Sequence, residues 1–136
     1  MKMKFMLATI LFLLMSNSYA QEIKFETQKI DYGTVSQNSD GTRHFSFTNT
    51  GSAPLIIQNA QKSCGCTVPT WPKEPIMPGE SAKITVKYNT TKLGAFSKYV
   101  TITSNDTKTP STRLQIVGTI VQEAPAVPLK DHTVFK

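Results

Sequence analysis

Side chains that usually carry catalysis or hold metals are scarce in this chain. Its 136 residues include two histidines, two cysteines and one tryptophan. A closed zinc site normally takes four ligands, and His44 and His132 are the only imidazoles. A thiol protease needs a histidine partner, and neither histidine sits in a motif that recommends it. His44, between Arg43 and Phe45, reads as a solvated strand residue, and His132 falls in the C-terminal tail. Glu74, Glu80 and Asp106 occur in turns, where surface solvation accounts for them, so no paired carboxylates suggest general acid–base work. There is no glycine-rich phosphate loop, and no stretch shows capped helical periodicity.

Long apolar runs are also lacking, apart from one near the start. Lys2 and Lys4 precede an almost unbroken apolar run from Phe5 to Met15, and Ser18-Tyr19-Ala20 follows with small residues at the two positions a signal peptidase reads. The run is short for a bilayer span, so residues 1–20 read as a cleaved signal peptide, and no cysteine lies near the cut to carry a lipid. The expected location is periplasmic or secreted, with no membrane span in the mature chain. Loss of Lys2 and Lys4 leaves 13 basic and 9 acidic residues, a net charge of +4. The cations are dispersed from Lys24 to Lys136 without the patch or stripe of a nucleic-acid binder, so the excess reads as a solubility feature.

Short alternating segments separated by turn formers make up the rest. Ile23-Lys24-Phe25 and Ile30 to Val35 read as an opening strand in two pieces. Gln37 to Gly41 is a polar turn whose Asp40-Gly41 pair offers a residue able to take positive φ. Thr42 to Asn49 places Phe45 and Phe47 on one face, with His44, Ser46 and Thr48 on the other. Leu55 to Gln58 reads as the next strand. Pro69, Pro72, Pro75 and Pro78 each lack a ladder donor, which predicts a loop crossing between sheets from Thr67 to Gly79.

The second half is more regular. Ala82, Ile84, Val86 and Tyr88 alternate inward while Lys83, Thr85 and Lys87 face water. Phe96, Val100 and Ile102 form the next inward set, after a turn through Gly94. Leu114, Ile116 and Ile120 form the last, with Gly118 at a bulge or close contact. Recurrent short strands and turns predict an all-β, immunoglobulin-like antiparallel sandwich of about seven strands over residues 21–121. A flexible, Pro-containing tail is expected over 122–136.

Several of these words occur together in a known order. Ile30-Asp31-Tyr32-Gly33-Thr34-Val35, Phe47-Thr48-Asn49-Thr50-Gly51 leading to Pro54-Leu55, Ser63-Cys64-Gly65-Cys66-Thr67-Val68-Pro69, Pro78-Gly79-Glu80-Ser81 and Gly94-Ala95-Phe96 resemble a bacterial family known as a domain of unknown function, number 1573. That family is similar to immunoglobulin-like domains of the abnormal-spindle, hydin and major-sperm-protein type. The resemblance covers roughly residues 25 to 121. It implies a fold and brings no catalytic residues with it.

The candidate site is the stretch Lys62 to Pro72, which holds both cysteines and the tryptophan. On a regular strand Cys64 and Cys66 would sit roughly 6.5 Å apart on one face. A disulfide needs β-carbons about 3.8 Å apart, so a bridge requires a bend, which Gly65 makes inexpensive. A bridge this short would constrain the unfolded chain little and would reduce more readily than an ordinary one. Three readings stay open for Cys64 and Cys66: a local clip or buried pair, a redox pair, or a soft-metal site suited to Cu(I). Trp71, flanked by Pro69 and Pro72, is either a recognition residue or a plug at one end of the sandwich. The functional expectation is a non-catalytic module for protein–protein binding or envelope assembly, with thiol redox exchange or Cu(I) binding as the alternative. Neither the partner nor the oligomeric state is specified by the residues.

Overall fold

A computed structural model describes residues 18–123. Residues 1–17 of the expected signal peptide (1–20) and residues 124–136 of the expected tail (122–136), His132 among them, lie outside the described residues. The eight strands are β1 (Ile23–Phe25), β2 (Lys29–Ser36), β3 (Thr42–Asn49), β4 (Ile57–Lys62), β5 (Thr67–Thr70), β6 (Ser81–Tyr88), β7 (Gly94–Ser104) and β8 (Ser111–Val121). They form two four-stranded sheets, ordered β1-β3-β6-β5 and β2-β8-β7-β4. No helix among the described residues is long and apolar enough to cross a membrane.

The expected inward faces meet in one core. Phe45 and Phe47 of β3 and Ile84 and Val86 of β6 pack against Val100 and Ile102 of β7 and Leu114 and Ile116 of β8, all essentially excluded from water. Alternation makes this possible, because each strand presents every second side chain to the facing sheet. The opening segment does divide in two. β1 pairs antiparallel with β3, then the chain changes sheets and β2 runs parallel to β8. The sandwich is therefore mixed at that edge and has eight strands where about seven were expected.

Three local expectations are corrected. Pro69 does not prevent a strand. β5 pairs antiparallel with β6, and the Asn89 N–H donates to the Cys66 carbonyl at 2.8 Å. That bond sets the alternation, so Val68 and Thr70 direct their backbone groups at β6 while Pro69 directs its missing donor at the free edge, where none is needed. The strand expected at Leu55–Gln58 lies further on. Leu55 makes an isolated bridge with Ile76, and β4 proper runs through Asn59, Ala60 and Gln61 after a register shift between Ile57 and Asn59. In the Gln37–Gly41 turn, the residue at positive φ is Asn38 (65°). Gly41 is required for a different reason, since a β-carbon there would run into the Tyr88 carbonyl oxygen.

Gly118 marks a close contact and not a bulge, because its pairing with Phe96 lies in an unbroken register. A β-carbon there would stand 2.8 Å from the Tyr32 β-carbon and 2.8 Å from the end of the Phe96 ring. That ring stacks on Tyr88 at 4.0 Å and meets Tyr32 edge-on at 5.3 Å. The Tyr32 hydroxyl donates to the Gly41 carbonyl at 2.7 Å, and burial pushes its pKa up to about 12. Gly118→Ala is expected to destabilise the fold by about 2 kcal/mol, as overpacking typically does, and the urea midpoint measures it. An unchanged midpoint would mean that the aromatic cluster has room to spare.

Candidate functional site

The Cys-Gly-Cys turn joins β4, an edge of one sheet, to β5, an edge of the other. Cys64 and Cys66 are bridged, with α-carbons 5.4 Å apart. Gly65 is exposed, has no positive φ, and has nothing within 4 Å of where a β-carbon would be. The bend thus does not depend on glycine's special backbone freedom, contrary to the expectation from sequence. Cys66 packs against the core. The Thr67 hydroxyl lies 3.6 Å from the Cys64 sulfur and 3.9 Å from the Cys66 sulfur, and Thr67 is 0% exposed. Beside the turn is a surface depression of about 640 Å³, whose lining includes Cys66, Gly65, Val68, Asp40 and Lys87.

In the bridged form neither sulfur is a thiolate, so soft-metal binding would require reduction first. Among the described residues, no three His, Cys, Asp or Glu side chains converge. His44 is on the outer face of the first sheet, its Nδ1 3.0 Å from the Thr85 hydroxyl. Met77 lies in the exposed segment before β6.

Trp71 is half-buried. It packs against the core and carries the Lys73 ammonium 3.2 Å from its ring centroid. With Pro69 and Val68 it walls a groove of about 560 Å³ whose other side is Asn59, Ala60, Gln61 and Lys62 of β4. Val68 is 53% exposed, and Pro72 is half-buried next to Trp71.

The four sheet edges differ in what they offer. At β1 the register turns Ile23 outward, and its N–H donates to the Asp106 carboxylate at 2.8 Å, which caps a strand of only three residues. At β2 the ladder is interrupted between Asp31 and Thr34, where Gly33 takes φ 65° and donates to the Asp31 carboxylate. At β5 Pro69 removes the outward donor. Bulges, short strands and proline are the usual ways of closing an edge to pairing.

β4 has none of these devices at its C-terminal half. The Ser63 N–H donates to the Tyr99 carbonyl at 3.0 Å, so Gln61 and Asn59 pair with β7 while Ala60 and Lys62 turn their N–H and C=O groups outward. This open edge borders the Trp71 groove. Composition alone did not point to it, because edge status is a property of sheet order.

The Asp106 carboxylate, expected from sequence to be solvated in a turn, is buried. It is 3% exposed, and it accepts from the Ile23, Lys108 and Thr109 amides at 2.7–2.8 Å. Burial would raise its pKa, but these amides, with the nearby Lys108 charge, outweigh that and hold it below the usual carboxylate range.

Comparison with known proteins agrees with this architecture. Residues 23–120 match the family described as protein of unknown function (DUF1573). No curated protein matches the chain. A crystal structure of a protein of unknown function from Porphyromonas gingivalis W83 superposes with a TM-score of 0.67 at 14% identity, covering 79% of this chain and 50% of that one. The chain therefore spans half the length of that protein. The ASH/PapD-like domain 7 of human CEP192 gives a TM-score of 0.64 at 9% identity, covering 82% and 93% of the two chains. The periplasmic chaperone SfaE gives 0.53 at 8% identity, covering 79% and 61%. At these identities the likenesses concern the fold alone. The chain belongs to the DUF1573 family.

Proposed function

We propose that this member of the DUF1573 family is an exported, non-catalytic module that binds an extended segment of another protein along β4. The observation that carries this reading is the asymmetry of the edges. β1, β2 and β5 are each capped, bulged or blocked by proline; β4 is irregular between Ile57 and Asn59, but beyond that point Ala60 and Lys62 offer outward backbone groups beside Val68, Pro69 and Trp71. Strand addition derives affinity from such main-chain groups and specificity from pockets that accept alternate side chains. An extended partner with apolar residues at every second position would pair with β4 and place them against Trp71.

The perturbed titratable groups support a scaffold role. Asp106 caps β1, and the Tyr32 hydroxyl is bonded to the Gly41 carbonyl. Export rests on the leader-like residues 1–20 and is tested by N-terminal sequencing of protein recovered from the envelope or medium, with Gln21 expected first. Fold likeness to a periplasmic chaperone is consistent with an exported binding module.

Selection of a random twelve-residue peptide library on the purified protein tests the binding reading. Enriched sequences should alternate apolar and polar residues. Lys62→Pro removes the outward donor of an exposed residue without touching a ladder bond, and it should weaken the selected peptides at least tenfold with the thermal midpoint little changed. Trp71→Ala should weaken them similarly. Peptides indifferent to both substitutions would rule out the β4 edge.

A further inference from the structure

We propose that the Cys64–Cys66 bridge is a thiol-exchange site, which accepts two electrons from an exposed dithiol on another protein. As a staple it has little to hold. Ser63 is fixed to β7 by two bonds, its N–H to the Tyr99 carbonyl at 3.0 Å and its hydroxyl from the Tyr99 N–H at 3.0 Å. On the other side the Cys66 carbonyl is fixed to β6 by the Asn89 N–H. The bridge spans a single intervening residue, and the constraint a disulfide places on an unfolded chain grows with the length of the loop it closes. Both ends of the turn thus stay in place through ladders that do not involve sulfur.

The surroundings suit exchange. Exposed Gly65 leaves the approach open, and the depression lined by Gly65, Cys66 and Lys87 gives a partner surface room to settle. Cys66 is packed on the core, whereas Cys64 is not among the residues packed there. In the proposed step an incoming thiolate attacks the Cys64 sulfur, the one not packed on the core. The Cys64–Cys66 bond breaks, and its electron pair leaves on the Cys66 sulfur as a thiolate.

Thr67 sits where it can help. Its buried hydroxyl is within reach of both sulfurs, and donation to the leaving thiolate lowers that thiol's pKa and so improves it as a leaving group. The second thiol of the donor, deprotonated in turn, attacks the donor sulfur of the mixed disulfide and releases Cys64. The donor ends as a disulfide, the chain as a dithiol, and the two protons lost by the donor balance the two taken up by Cys64 and Cys66.

The test uses no binding partner, so it can fail while the peptide-binding reading stands, and the reverse. Purified protein is equilibrated in dithiothreitol and glutathione buffers without denaturant, and free thiols are counted by alkylation and mass. Two thiols should appear per chain under native conditions, with the urea midpoint almost unmoved. In a Cys64→Ser background, Thr67→Val should raise the pH midpoint of Cys66 alkylation by about one unit. In the two-cysteine protein, at a pH above both thiol midpoints, the same change should shift the glutathione equilibrium about tenfold toward the disulfide, and Thr67→Ser should restore both. A bridge that reduces only in denaturant, a large drop in the urea midpoint on reduction, or a thiol midpoint indifferent to Thr67→Val would each overturn the proposal.

Discussion

Replacing Asp106 with alanine is expected to destabilise the sandwich by about 4 kcal/mol, a large share of the stability of a domain this size. One carboxylate satisfies three backbone donors. Two belong to its own turn, at Lys108 and Thr109, and the third is Ile23, the outward donor of β1 in the opposite sheet. Alanine leaves all three without their acceptor at a part-buried site, and it releases the strand that covers the end of β3. Urea unfolding at pH 7 measures the loss. A change under about 1 kcal/mol would mean that water replaces the carboxylate without penalty.

The same residue carries a pH signature. Its folded pKa lies below the ordinary value of about 3.9, so its contribution is fully present above about pH 4 and is lost as pH falls through the folded value. Asp106→Asn keeps an oxygen for Lys108 and Thr109 but can turn an amide N–H toward Ile23. The gap in stability between wild type and Asp106→Asn should therefore be widest near neutrality and shrink as pH falls below about 4. A gap independent of pH would assign the effect to shape and not to charge.

Asn49→Ala is expected to destabilise by about 3 kcal/mol. Asn49 is 0% exposed at the end of β3, and its side chain is fully committed. Its amide nitrogen donates to the Ala53 carbonyl at 2.8 Å and the Ile76 carbonyl at 2.9 Å, while its oxygen accepts from the Gly51 N–H at 2.9 Å. One side chain thus shapes the turn after β3 and ties it to the segment that bridges Leu55. Asn49→Asp preserves shape but sets a carboxylate against two carbonyl oxygens, so it should be worse than alanine at pH 7 and recover partly in acid. Thermal midpoints of the three proteins at pH 7 and pH 4 check this order. Aspartate equal to asparagine would show that the donated bonds contribute little.

How far the chain could be read in advance depended on how local the signal was. Phe45 and Phe47, Ile84 and Val86, and Leu114, Ile116 and Ile120 all alternate with polar neighbours, and each set lies inward as expected, because strand geometry imposes a period of two wherever one face is buried. Gly118 is legible as a bulge or a close contact, and the Tyr32 and Phe96 contacts decide for the second. Pro69 misled, because its effect depends on whether its nitrogen faces a neighbour or an edge, which is settled by β6 and not by adjacent residues. Asp106 reads as an ordinary turn residue and Asn49 as the end of a strand, since their partners at Ile23 and Ile76 are 83 and 27 positions away. At the candidate site the nearness of Cys64, Cys66 and Trp71 in sequence was legible, but the open β4 edge beside them was not.

By itself the sequence determined an all-β chain of short amphipathic strands and the faces those strands bury, since these follow from side-chain order along a pleated backbone. Tertiary structure alone decided that β2 runs parallel to β8, that Asp106 holds β1, and that β4 is the edge left open beside Trp71. The physical reason is that a backbone group is satisfied or free according to its neighbour in the sheet, and that neighbour is chosen by the packing of distant segments.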